Sequence, residues 1–173
     1  MSFDPSRMCV ARQGTGLAAL PPDLNALTSR IIGCAIEVHR HLGPGLREIM
    51  YERALELELR STGLRVVRQA AFSVEYKGEL LGDQCLDMLV EDTVIVENKA
   101  TDRLTEADHA QLVGYLELAC VPVGLLINYR SHLLKDSIYR KINFPPKASS
   151  RVLSVRSRSF TAPSVSAPSV QTS

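Results

Sequence analysis

Cys85-Leu86-Asp87-Met88-Leu89-Val90-Glu91-Asp92-Thr93-Val94-Ile95-Val96-Glu97-Asn98-Lys99 is the stretch on which the fold turns. It holds two apolar runs of strand length separated by an acidic turn, so it predicts a β-hairpin. Three charged residues, Asp87, Glu97 and Lys99, stand inside those otherwise apolar runs. Ionised side chains seldom enter strands without a partner, so the register of the hairpin decides what the three do together. A two-residue turn at Glu91-Asp92 would set Asp87 opposite Val96 and mix the apolar sets. A three-residue loop, Glu91-Asp92-Thr93, pairs Val90 with Val94, Met88 with Val96 and Asp87 with Glu97. That register collects Met88, Val90, Val94 and Val96 on one face. The other face carries Leu89 and Ile95 near the turn, with Asp87, Glu97 and Lys99 at the far end. We adopt it.

Directly opposed residues lie roughly 5 Å apart at Cβ, so this register creates a like-charge carboxylate pair that is costly without a cation between them. A hard divalent ion, Mg²⁺ with Mn²⁺ as a substitute, takes a few carboxylate oxygens and keeps waters for a substrate phosphate. Lys99, two residues from Glu97 on the same face, is placed to orient a water or offset charge on a phosphoryl oxygen. On the strand pair alone, a salt bridge between Lys99 and one carboxylate accounts for the same residues.

Working outward, a helix is expected from near Asp23, with Leu27, Ile31, Cys34, Ala35 and Val38 at three-to-four spacing, broken by Gly43-Pro44-Gly45. A second helix, about Leu46 to Ser61, is expected to turn Leu46, Ile49, Met50, Ala54 and Leu57 inward and to stop at Gly63. Phe72, Val74 and Tyr76 alternate as a strand. Thr105 and Asp108 have capping-box spacing at the head of a third helix reaching about Ala119. That helix stacks Gln111 and Tyr115 four apart on one face, where they are able to contact a phosphate or hold Lys99. Val121 to Asn128 has buried-strand length, and a weaker segment covers Leu133 to Ile142. The order α-β-β-β-α-β predicts an α/β fold with a mixed central sheet flanked by helices.

The chain has 173 residues and a formal net charge of +1. One domain is expected over residues 22–144, with a loose N-terminal arm at 1–21 and a disordered Ser/Pro/Arg-rich tail at 145–173. The tail holds nine Ser, four Pro, four basic residues and no acid, so the remainder is mildly acidic and unsuited to coating nucleic acid non-specifically. Cys9, Cys34, Cys85 and Cys120 have no zinc or disulfide spacing, and no apolar run approaches the ~20 residues that cross a bilayer, so a cytoplasmic location with no membrane partner is expected. Cys34, His39 and His41 match no metal motif. Tyr51 and Tyr76 read as core or rim aromatics.

Gly45, Glu48 and Tyr51 spell GxxExxY. Together with Ile31-Ile32-Gly33, Val38-His39-Arg40, Leu42-Gly43-Pro44-Gly45, Asp87, Glu97-Asn98-Lys99, Gln111 to Leu116 and Leu125 to Asn128, they make the chain resemble the GxxExxY protein family of the PD-(D/E)XK nuclease superfamily. The resemblance spans about Leu24 to Asn143. It implies a restriction-endonuclease-like core and Mg²⁺-dependent cleavage of phosphodiester bonds in nucleic acid, DNA for preference. It also implies metal ligation by Asp87, Glu97 and Glu48, catalysis by Lys99, and support of Lys99 or substrate by Gln111 and Tyr115. On spacing alone, Glu48 in a first helical turn is explained by the helix dipole. Asn98 departs from the family pattern, which has an aliphatic residue between acid and lysine, and the register points its amide into the Val94/Val96 face. The alternative function is a nucleic-acid-binding or regulatory module that keeps the fold without cleaving.

Overall fold

The computed structural model describes residues 22–143 and the strand Val152–Ser157. Its elements run α1 (Pro22–Leu42), α2 (Glu48–Ser61), β1 (Val66–Tyr76), β2 (Glu79–Val90), β3 (Val94–Lys99), α3 (Glu106–Leu118), β4 (Val123–Asn128), a 3₁₀ turn (Leu134–Ser137), β5 (Ile138–Ile142) and β6 (Val152–Ser157). One sheet contains all six strands in the order β5-β4-β3-β2-β1-β6. β3 and β4 are parallel and every other pair is antiparallel. The parallel pair follows from α3, which carries the chain over the sheet between them.

The three-residue loop holds. Val90 pairs with Val94, Leu89 with Ile95 and Met88 with Val96. Glu91 and Asp92 both take positive φ, and Thr93 N–H closes the turn on Val90 O at 3.0 Å. The alternation then builds two cores. Met88, Val90, Val94 and Val96 pack under α1 and α2 with Ile31, Ala35, Tyr51, Leu55 and Leu59. Leu89 and Ile95 pack under α3 with Leu112, Tyr115 and Leu116. No described helix is long and apolar enough to cross a membrane.

Three expectations are corrected. The buried stripe of α2 is Tyr51, Glu52, Leu55 and Leu59, whereas Leu57 is 72% exposed and Leu46 and Met50 also face outward. Hydropathy misplaced this face because a glutamate belongs to it. β2 begins at Glu79, before Cys85, because pairing with β1 holds its polar first half in the extended state. Finally, the fold does not end near Phe144, since Val152–Ser157 adds an edge strand against β1. Averaging composition over the whole tail hides the short run Val152-Leu153-Ser154-Val155, whose three apolar residues stand close together. The N-terminal arm and the rest of the tail lie outside the described residues.

α3 sits close enough to β4 that Gly124 is required there. A Cβ at Gly124 would lie 2.6 Å from Leu112 Cδ1 and 2.9 Å from its Cγ, and Leu112 is fully buried. Gly124→Ala is therefore expected to lower unfolding free energy by about 1–3 kcal/mol, seen as a lower urea midpoint at unchanged m.

Candidate active site

The site lies where β2 parts from β3. The ladder between these strands ends at Met88 and Val96, and the next residues, Asp87 and Glu97, meet through side chains instead. Asp87 N–H donates to Glu97 Oε1 at 3.3 Å, and Asn98 N–H donates to Asp87 Oδ2 at 2.8 Å. Glu97 is 3% exposed. Lys99 Nζ stands 4.0 Å from Glu97 Oε2 and donates to Gln111 Oε1 at 3.4 Å. Gln111 Nε2 in turn donates to the Tyr115 hydroxyl at 2.8 Å, which turns the amide oxygen toward the ammonium. The capping box expected at Thr105 and Asp108 is present and fixes the start of the helix that presents this pair.

Glu48 reaches the same place from the opposite side of the sheet. Two glycines with positive φ, Gly43 and Gly45, turn the chain sharply between α1 and α2. Tyr51 locks that turn: its hydroxyl donates to Gly43 O at 2.6 Å and accepts from Leu46 N–H at 3.0 Å. Its ring stacks on Tyr129 at 4.4 Å. Glu48 is thereby set in the first turn of α2, with its carboxylate accepting from Ala100 N–H and its charge felt by Lys99, Asp87 and Glu97. The glycine and the tyrosine of the motif thus have separate physical tasks, turn and lock, and between them they place Glu48.

Burial pushes the Asp87 carboxyl up to about 6, with the Asn98 N–H pulling the other way and Glu52 and Glu48 adding to the rise. Burial likewise pushes Glu97 up to about 8, reinforced by the Asp87 charge and opposed by Asp87 N–H and Lys99. Burial also raises the Tyr115 hydroxyl, helped by Glu97. Acids displaced this way are short of positive charge. Among the described residues, no three His, Cys, Asp or Glu side chains stand together ready to hold a metal ion. Magnesium needs only one or two carboxylates and completes its shell with water, so the paired oxygens of Asp87 and Glu97 fit a hard divalent cation, with Glu48 as a further ligand if it leaves Ala100.

Of the six residues singled out from the sequence, Asp87, Glu97, Lys99, Gln111 and Tyr115 meet in one chain of contacts, and Glu48, held on Ala100 N–H, couples to them by charge. His39 and His41 do not join them: His39 Nε2 bonds Ser131 O at 2.8 Å, and His41 pairs with Glu37. Tyr51 is fully buried and Tyr76 is exposed, as a core and a rim aromatic should be. A group that hydropathy did not single out is Glu52, one turn beyond Glu48 and 3% exposed, bonded to Arg68 and Gln69. Its only sequence signal is a carboxylate four residues from Glu48 on the stripe of Leu55 and Leu59.

A family model of the PD-(D/E)XK nuclease superfamily matches residues 25–141. The chain belongs to this superfamily. No curated protein and no solved structure matches it. PD-(D/E)XK nucleases generally use divalent metal ions, in keeping with the acidic, oxygen-only donor set found here. The superfamily consists mostly of nucleases, so nuclease activity on nucleic acid is the expectation for this chain. In this PD-(D/E)XK protein Asn98 is anomalous. It is fully buried among the β3 residues facing α1 and α2, and neither Nδ2 nor Oδ1 has a partner among the described residues. Asn98→Val keeps the backbone N–H that anchors Asp87 and removes both orphan groups. It is expected to add about 1–2 kcal/mol to unfolding free energy in urea melts, with divalent-ion affinity unchanged.

Proposed function

We propose that the protein is a Mg²⁺-dependent nuclease of the GxxExxY group that hydrolyses phosphodiester bonds in DNA, with Mn²⁺ able to substitute. The observation that carries this is the buried Asp87/Glu97 pair, whose carboxyls are raised and whose nearest cation among the described residues is Lys99 at 4.0 Å from one oxygen. A purely structural ion pair would give Lys99 a close carboxylate contact and leave no second acid uncompensated.

In this reading Asp87 and Glu97 hold the ion and Glu48 joins them from α2. When bound, the ion supplies Lewis acidity toward the phosphoryl oxygen and lowers the pKa of a coordinated water. Lys99, steadied by Gln111 and through it by Tyr115, donates to a non-bridging phosphoryl oxygen or to the attacking water. Water oxygen adds to phosphorus, the bond to the leaving sugar oxygen breaks, and one proton passes from the water to solvent or a carboxylate while the leaving oxygen takes up another. Gln111 accepts from Lys99 and donates to Tyr115, so in this reading the pair acts on substrate through Lys99. The buried thiol of Cys34 suits a reducing compartment such as the cytoplasm.

The deciding experiment is a Mn²⁺ titration paired with a cleavage panel of single- and double-stranded DNA and RNA. The proposal expects saturable binding, lost in Glu97→Ala, and ion-dependent scission of at least the DNA substrates. Ion and nucleic-acid binding without cleavage of any substrate would instead make the chain a non-cleaving module.

A further inference from the structure

Gln69 breaks the regularity of the sheet at a telling place. It is a non-glycine residue with φ of +48°, and it interrupts the β1–β2 ladder between the pairs Arg68–Met88 and Ala70–Leu86. The residue that this register leaves across from it is Asp87. Both strands turn over here. Val67 packs on the α3 side and so do Ala70 and Phe72; on β2, Leu89 and Leu86 both pack there too. Strict alternation allows neither set, so a half-turn is inserted at Gln69 and Asp87. Beyond that point β2 no longer pairs with β3, and the freed Asp87 carboxylate takes up Asn98 N–H.

A strained backbone persists only when its surroundings fix it. Here the fixing group is Glu52. Its Oε1 accepts from Arg68 Nε at 2.7 Å and from Gln69 Nε2 at 2.9 Å, so it grips the kink on two consecutive residues. Gln69 Oε1 is in turn available to Cys85 Sγ at 3.4 Å, tying the kink across to β2. We infer that Glu52 is a positioning residue: through Arg68 and Gln69 it holds the β1 kink that separates β2 from β3 and aims Asp87 into the site. The task needs an acceptor oxygen at this position, not a negative charge. Glu56 meets the same guanidinium at Arg68 Nη1 from 3.2 Å, while the Gln69 amide donates to Glu52, so Glu56 serves as the control.

This role bears on the proposed ion site, yet it has a readout of its own in the Asn98 amide, whose protection from hydrogen exchange reports directly on Asp87. In the full-length protein, exchange at Asn98 and Mn²⁺ affinity are measured for four variants. Glu52→Met paired with Arg68→Leu removes the grip without leaving a buried unpaired charge. Gln69→Gly removes the gripped amide at a residue that accepts the positive φ. Both are expected to exchange at Asn98 about tenfold or more faster and to bind Mn²⁺ about tenfold or more weaker, whereas Glu52→Gln and Glu56→Gln stay within about threefold of the parent. Wild-type behaviour of the Met/Leu pair and of Gln69→Gly would overturn the inference. So would a Glu52→Gln as damaged as the Met/Leu pair, which would make Glu52 act by charge. If the parent binds no Mn²⁺, the nuclease proposal falls, and the Asn98 exchange rates still decide the role of Glu52.

Discussion

Lys99→Met is expected to slow cleavage roughly 10²–10³-fold while strengthening the hold on a divalent cation. The two effects have one cause. Lys99 Nζ lies 4.0 Å from Glu97 Oε2, so among the described residues it is the ammonium that supplies positive charge to the acids in the ion-free protein. Both carboxyls feel it, since Lys99 opposes the upward displacement of each. An incoming cation competes with it, and removing the ammonium removes the competitor. In cleavage the same ammonium faces charge that grows on the phosphoryl oxygen, and nothing else among the described residues at the site replaces it. Single-turnover cleavage with saturating Mn²⁺, alongside calorimetric titration, separates the two quantities. Glu97→Ala should lose both. If Lys99→Met instead lowers ion affinity and leaves single-turnover cleavage near the parent value, Lys99 is a structural partner of Glu97 and the assignment of its role is wrong.

The sequence made the hairpin legible because parity leaves so little freedom. One loop length separates the apolar from the charged residues of Asp87 to Lys99, and the observed pairs Met88–Val96 and Val90–Val94 are those it requires. The capping box at Thr105 and the burial of the Asn98 amide were legible for the same reason, as local chemistry with a fixed direction. Superfamily kinship adds the general chemistry. Other features depend on tertiary partners. The inward face of α2 contains Glu52, and a buried glutamate is invisible to hydropathy until Arg68 and Gln69 are known to meet it. Gln69 has no residue-type signal for its positive φ. The β6 pairing with β1 is long-range and sits in a Ser-rich context that outweighs its few valines. The miscarried expectations thus gather on one wing of the sheet, where polar groups satisfy one another across elements.

The raised acids also tie folding to pH in a direction opposite to ordinary salt-bridged carboxylates. Asp87 near 6 and Glu97 near 8 hold protons in the folded, ion-free protein that the unfolded chain releases at about 4. Across that window the native state binds more protons than the unfolded state, so stability falls as pH rises. Each unit of displacement corresponds to about 1.4 kcal/mol, which over the two groups puts the expected loss between pH 5 and 8.5 on the order of 5–6 kcal/mol. A divalent cation replaces the protons, so its stabilising effect should be large at pH 8 and nearly absent at pH 5. At about 100 times Kd the gain is about 2.7 kcal/mol. Urea melts at both pH values, with and without Mg²⁺, measure all four corners of the cycle. Glu97→Gln, uncharged at either pH, should flatten the pH dependence and abolish most of the Mg²⁺ response together. Equal Mg²⁺ stabilisation at the two pH values would mean that the ion binds elsewhere, since only groups that must shed protons to ligate can make its effect vanish in acid.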